Sequence, residues 1–256
     1  MFRLYTHSTV LAAAIAFIGV VDAGRSQAEG VAVVELFTSQ GCSSCPPADE
    51  NLIQLDRYAR ENGKPIYVLS FHVDYWNRLG WKDPYSETKY SARQSEYARL
   101  WETTRVYTPQ MIVSGVDEFV GSSREKTIEA IKSALSKQAS VVVSLEAERS
   151  SQESKSIKVE FNAQNADEGD LINFAVVDSP AANDVARGEN RGRTLKHVNV
   201  VRSFARQRLS TETKGAIELE FPEDLETSTA AVIAYVQSND GEIRGVERLD
   251  WARVVR

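Results

Sequence analysis

Hydrophobic and polar positions along the chain change period several times. Val31-Ala32-Val33-Val34-Glu35-Leu36-Phe37 is an apolar run interrupted by one acid, and it predicts a buried strand. From Ala48 the apolar residues Ala48, Leu52, Leu55 and Ala59 recur at helical spacing, and Asn62-Gly63 with Pro65 ends that helix. Ile66 to Val73 predicts a second strand. The segment from Asp74 to Thr104 is aromatic and polar, and its later part, Ser86 to Glu102, has a helical pattern. Tyr107 to Gly115 predicts a proline-led strand that pairs with Val116 to Val120. Ser123 to Ser136 then predicts a helix with Ile128, Ile131 and Leu135 inward.

The character changes near Lys137 to Ser140. Beyond it lie only short β-type runs, at Val141–Leu145, Ser156–Phe161, Leu171–Val177, Val198–Phe204, Ala216–Phe221, Ala230–Gln237 and Glu242–Leu249. Asn239-Asp240-Gly241 between the last two is a hairpin signal. About seven strands with turn signals at near-regular spacing predict a β-sandwich. The expected organisation is an α/β unit over residues 29–138, with order β-α-β-α-β-β-α, followed by an all-β sandwich over residues 139–256.

Residues 1–28 stand apart from this scheme. Arg3 and His7 precede an apolar run from Val10 to Val21, and small residues follow at cleavage spacing, Ser26-x-Ala28 or Val21-x-Ala23. This is the layout of a secretory signal peptide, cut after Ala28. The run is shorter than the roughly 20 apolar residues a membrane-crossing helix needs. The expected location is periplasmic or secreted, an oxidising compartment, with no membrane insertion after cleavage. A net charge of −6 gives no footprint for nucleic acid.

The only two cysteines form Cys42-Ser43-Ser44-Cys45, between the first predicted strand and the first predicted helix. That layout suits a thiol–disulfide redox site. Unpaired N–H groups and the dipole at a helix N-terminus favour thiolate, and a second thiol two residues on resolves a mixed disulfide. A static structural bridge is the plain alternative. Zinc would want four ligands, and the chain has three histidines, one of them His7 in the leader. Two thiolates suffice for copper(I), so copper delivery is a further alternative.

Three local matches give residues 31–136 a resemblance to thioredoxin-like domains. Cys42-Ser43-Ser44-Cys45 sits where that superfamily carries its redox pair. Glu35 falls near the buried acid that many thioredoxins use as proton acceptor. Val106 to Gly115, with Thr108-Pro109, resembles the strand whose cis proline faces the disulfide. More narrowly, the run Glu35 to Asp49 resembles a group of secreted bacterial proteins of unassigned function, domain-of-unknown-function family 1223. Gly41 stands where thioredoxins have a tryptophan, and one extra loop residue separates Glu35 from Cys42.

The resemblance implies that Cys42 attacks or accepts, Cys45 resolves, Glu35 relays a proton and Pro109 shapes the groove. Thr108, Ser43 and Ser44 would contact the substrate. The expected activity is thiol–disulfide exchange on protein disulfides, with a redox recycling partner and no cofactor beyond the Cys42–Cys45 disulfide itself. A secreted binding or assembly protein with a non-catalytic disulfide is the alternative from another class.

Three other features carry readings of their own. His72 and Asp74 end the second strand and would make a general-base pair or a satisfied structural histidine. Residues 75–101 read as a packed aromatic cover, or as an aromatic wall beside the redox site. Arg187 to His197 is a basic, glycine-punctuated loop, either solvated or folded over Cys42.

Overall fold

The computed structural model describes residues 30–148 and 155–253, so the predicted leader lies outside the described residues. The first half runs β1 (Ala32–Thr38), α1 (Pro46–Glu61), β2 (Ile66–His72), α2 (Thr88–Leu100), β3 (Gln110–Val113), β4 (Asp117–Val120) and α3 (Arg124–Ser136). This is the order the periodicities predict. The prolines at the first turn of α1 cost it no hydrogen bond, because those N–H groups have no partner within a helix.

From residue 142 the regular structure is almost entirely β. The strands are β5 (Val142–Glu148), β6 (Ser156–Gln164), β7 (Leu171–Asp178), β8 (Ala181–Asp184), β9 (Thr194–His197), β10 (Val200–Arg208), β11 (Lys214–Glu220), β12 (Ala230–Gln237) and β13 (Ile243–Asp250). The hairpin signal at Asn239-Asp240-Gly241 joins β12 to β13, with Gly241 at φ 96°. Four of these strands continue the sheet of the first half, in the order β13-β12-β7-β10-β2-β1-β3-β4. β10 lies parallel to β2, where Ser70 N–H donates to Asn199 O at 3.0 Å. An exposed strand edge at β2 is thereby closed. The hydrogen-bonded sheet thus crosses the 138/139 boundary at which the sequence pattern changes.

Side-chain alternation divides this mixed sheet into two faces. On one face, Val34 and Leu36 of β1 pack with Ala48 and Leu52 of α1 and with Ala130 and Ile131 of α3. Farther along that face, β5, β6 and β11 form a second sheet over Phe174, Val176, Val232 and Ala234. Here two sheets do face each other across a core, and one of them is the shared sheet. The opposite face carries α2, whose Tyr90 and Tyr97 lie on Phe37, Phe71 and Tyr235. β7 and β12 are covered on both faces, which is why they read as near-continuous apolar runs, β7 broken by Asn173.

Among the described residues, no helix is long and apolar enough to cross a membrane.

Candidate functional site

The chain leaves the C-terminal end of β1 through a tight loop into α1. Cys42 N–H donates to Ser39 O at 3.1 Å, and Cys45 N–H donates to Cys42 O at 3.2 Å. These turns bring the Cα atoms of Cys42 and Cys45 to 5.4 Å, and the two are joined as a disulfide. Cys45 is the N-cap of α1 and has helical backbone angles, so its sulfur sits at the positive end of the helix. The Ser44 hydroxyl donates to Cys42 Sγ at 3.3 Å, since a disulfide sulfur has no proton to give. Gly41 is small for a steric reason: a Cβ there would stand 3.2 Å from Trp76 Cβ.

Both sulfur residues have zero exposure, although Ser43 and Ser44 between them are exposed. The cover over Cys42 comes from the segment joining β8 to β9. Asn190 is buried there, and its Nδ2 donates to Gln40 O at 3.0 Å and to Cys42 O at 2.9 Å. Arg193 holds the Asn190 amide from the other side, donating to Oδ1 at 2.9 Å. Glu189 accepts from Ser43 N–H at 3.0 Å, and Ser43, through its side chain first and its N–H second, draws the Glu189 carboxyl below the ordinary range. The basic loop singled out in the sequence does fold over the cysteine turn, but its contacts are made by Glu189 and Asn190 rather than by arginines.

Beneath the cover lies a buried polar cluster. Asp83 accepts from Gln40 N–H at 2.8 Å and from His72 Nδ1–H at 2.7 Å. The His72 and His197 rings meet edge to face at 4.6 Å. Gln40 Nε2 faces His197 Nε2 at 3.4 Å, and His197 Nδ1 faces Asp49 Oδ1 of α1 at 3.7 Å. His72 Nε2, His197 Nδ1 and Asp49 Oδ1 are all buried with no hydrogen-bond partner.

Burial alone would lower the pKa of His72, yet the contact with Asp83 and the nearby Asp49 lift it above the ordinary 6.5. Burial pushes Asp83 the other way, but His72 and the N–H groups of Gln40 and Tyr85 hold it below 3.8. The raised His72 contributes stability that is complete below pH 6.5 and is lost as pH rises through its folded pKa. The depressed Asp83 contributes stability that is complete above pH 3.8 and is lost as pH falls through its own folded pKa. The pair is therefore fully effective between those two values. His72→Gln should lower the melting temperature by a few degrees at pH 6 and by less at pH 9. An equal loss at both values would remove this ion pair as the source of the pH dependence.

The structure brings some of the sequence-derived candidates together and leaves others apart. Cys42, Ser43, Ser44 and Cys45 form one turn. The Thr108–Pro109 bond is cis, and Pro109 precedes β3, whose Gln110 pairs with Phe37 near the end of β1 from which that turn departs. Trp76 connects the two loops: it packs on Gly41, and its Nε1 donates to Thr108 Oγ1 at 2.7 Å. Glu35 is not brought to the cysteines. It lies between Val34 and Leu36 but points to the opposite face from α1, where Arg93, Tyr97 and Tyr235 surround it.

Of the two readings of His72, the general-base pair with Asp74 does not form. Asp74 instead accepts from the Ser91 and Thr88 hydroxyls at the start of α2, and the Ser91 bond foremost lowers its pKa. The partner of His72 is Asp83, from a loop without periodicity. Gln40, Asp49 and Asp83 were not legible as site residues, and Glu189 and Asn190 were legible only as members of the Arg187–His197 loop. The acid at Asp49, in the first turn of α1 and four residues after Cys45, is the one signal that sequence spacing carried. Among the described residues, no group of three or more His, Cys, Asp or Glu is arranged to hold a metal ion.

Known structures place this architecture among existing folds. A crystal structure of an Agrobacterium tumefaciens protein from a structural genomics consortium is 27% identical, with a TM-score of 0.62, over 86% of this chain and 95% of that one. HBP35 of Porphyromonas gingivalis shares the fold at 14% identity, with a TM-score of 0.57, over 87% of this chain and 76% of that one. No curated protein matches the sequence. Residues 33–237, which include the cysteine turn, the cover segment and every member of the polar cluster, match the family described as "Protein of unknown function (DUF1223)". The chain belongs to that family.

Proposed function

We propose that this protein is a thiol–disulfide oxidoreductase of the periplasm or extracellular space, built on a thioredoxin-like scaffold and acting on protein thiols or disulfides. The placement of the disulfide carries this reading. It closes a four-residue turn at the N-terminus of α1 and ties no distant segments together, so it adds little of the constraint a structural bridge supplies. The helix end stabilises a thiolate there. A partner thiolate attacks Cys42 Sγ, and Cys45 leaves with the electron pair of the broken S–S bond. Ser43 and Ser44 offer the exposed rim, and Thr108 with Pro109 forms the neighbouring loop. The disulfide is itself the redox group, and a second thiol protein returns it to its starting state.

One observation favours a second reading. Both sulfurs are wholly covered, which suits a bridge that stays closed in a secreted binding or assembly protein. The equilibrium potential of the pair in a glutathione buffer, followed by thiol alkylation, separates the two. Exchange predicts a value in the range of roughly −120 to −270 mV. A value below about −300 mV, with no thiol trapped in the native protein, moves the assignment to the binding reading.

A further inference from the structure

Resolution of a mixed disulfide on Cys42 requires Cys45 to lose a proton, and Cys45 is fully buried. Glu35, on the other face of the sheet, is not placed to receive it. Asp49 is. Cys45 and Asp49 are four residues apart on a continuous helix, with Asp49 N–H donating to Cys45 O at 3.1 Å, and such pairs share one helix face with Cβ atoms about 5–6 Å apart. Asp49 is 5% exposed, and its Oδ1 has no hydrogen-bond partner.

The surroundings of Asp49 fix the state of its neighbour. Gln40 Oε1 accepts from Trp81 Nε1 at 3.1 Å and from Asn183 Nδ2 at 2.9 Å. The Gln40 amide group is thereby oriented so that its NH₂ donates to His197 Nε2, at 3.4 Å. An accepting Nε2 leaves the ring proton on Nδ1, and that nitrogen lies 3.7 Å from Asp49 Oδ1. Asp49 also borders an open groove of about 360 Å³ beside Pro46, Glu50, Arg193 and Lys196, which gives its proton a way out to solvent.

We propose that Asp49 accepts the proton of Cys45 during disulfide formation, and that His197, fixed by Gln40, is a positioning residue for the Asp49 carboxylate. The proposal rests on the exchange reading above. In the step, the Cys45 S–H bond breaks and its proton passes to Asp49 while the Cys45 sulfur attacks Cys42 Sγ. The bond between Cys42 and the partner sulfur breaks, and the partner leaves as thiolate with the electron pair. Reduction is the reverse: Asp49 returns the proton to Cys45 as it is released. The charged and titratable groups facing this pair are His72 with Asp83 behind His197, Tyr85 beside both rings with Arg202 over it, and Glu50, Arg193 and Lys196 along the groove.

The test mixes reduced protein with excess oxidised glutathione, quenches with acid, and follows the glutathione adduct on Cys42 by mass from pH 5 to 9. Decay of that adduct reports the Cys45 step alone. In the parent protein it should be nearly independent of pH above about pH 6. In Asp49→Asn it should be about 100-fold slower at pH 6, within the usual range for general-base catalysis, and should rise tenfold per pH unit as hydroxide replaces the lost base. His197→Gln should show a smaller loss with a slope in between, and Asp49→Ser serves if Asp49→Asn does not fold. A parent profile that itself rises tenfold per unit overturns the proposal, as do variants slowed equally at every pH. If no adduct forms on the reduced native protein, the exchange reading falls along with it.

Discussion

Arg93→Met should destabilise the fold by about 3–5 kcal/mol, because it strips a buried carboxylate of the one opposite charge it meets among the described residues. Glu35 has zero exposure and Arg93 is 4% exposed. The guanidinium meets both carboxylate oxygens at 3.1 Å, through Nε and one terminal nitrogen. The Tyr97 and Tyr235 hydroxyls also donate to Glu35, and the other terminal nitrogen of Arg93 donates to Gln237 Oε1 at 2.8 Å. Burial works against the Arg93 charge, but Glu35 and the two tyrosines hold its pKa well above the ordinary value. The network ties β1 and α2 to β12, so it joins sequence from both sides of residue 138. For a chain of this size the loss corresponds to a fall in melting temperature of roughly 10 °C. Adding Glu35→Gln should recover part of it, because the amide still accepts from the tyrosines and leaves no orphan charge. Chemical denaturation of the two single variants and the double variant checks this, and additive losses would sink it. Glu35→Gln alone should lower stability and leave the pH profile of the cysteine step unchanged.

This network also shows what local pattern conveys and what it does not. An acid inside the apolar run of β1 marks a buried polar group, and the sequence supports that much. Its partner is 58 residues away, in a segment that reads as a packed aromatic cover, and nothing in that pattern marks Arg93 as the residue turned toward Glu35. The strands and helices were legible because each buries its own face, with alternation in β6 and helical spacing in α1. The β8–β9 hairpin was not. Its four-residue strands are mostly polar, and it is held by docking on α1 and on Gln40 rather than by any pattern of its own. The redox pair could be read because its chemistry resides in adjacent residues. The polar cluster around it could not, since Gln40, Asp49, Asp83 and His197 converge from four separate segments. Pairing His72 with Asp74 followed proximity in sequence, whereas the chain turns away after β2 and returns Asp83 to the imidazole.

Asn190→Ala should speed reduction of the Cys42–Cys45 disulfide by dithiothreitol about 30- to 100-fold. Asn190 is 1% exposed, and it is the one buried side chain of the cover segment bonded to the cysteine turn. Removing its amide leaves the carbonyls of Gln40 and Cys42 without these donors and releases the anchoring contact from Arg193. Losing two such bonds weakens docking of the cover by about 2–3 kcal/mol, and every 1.4 kcal/mol is a factor of ten in the open population. Glu189 makes a contact of another kind, at the exposed rim, where solvent competes for the Ser43 N–H. Glu189→Gln should therefore change the rate little. The contrast matters more than either value. If the cover controls access, the reduction rate follows the buried anchor and not the surface one. If the two variants reduce at the same rate as the parent, a partner thiol reaches the sulfur by another route. A large acceleration would mean that the buried disulfide is held closed by a small number of hydrogen bonds, weak enough for a protein substrate that displaces the Asn190 side chain to open it.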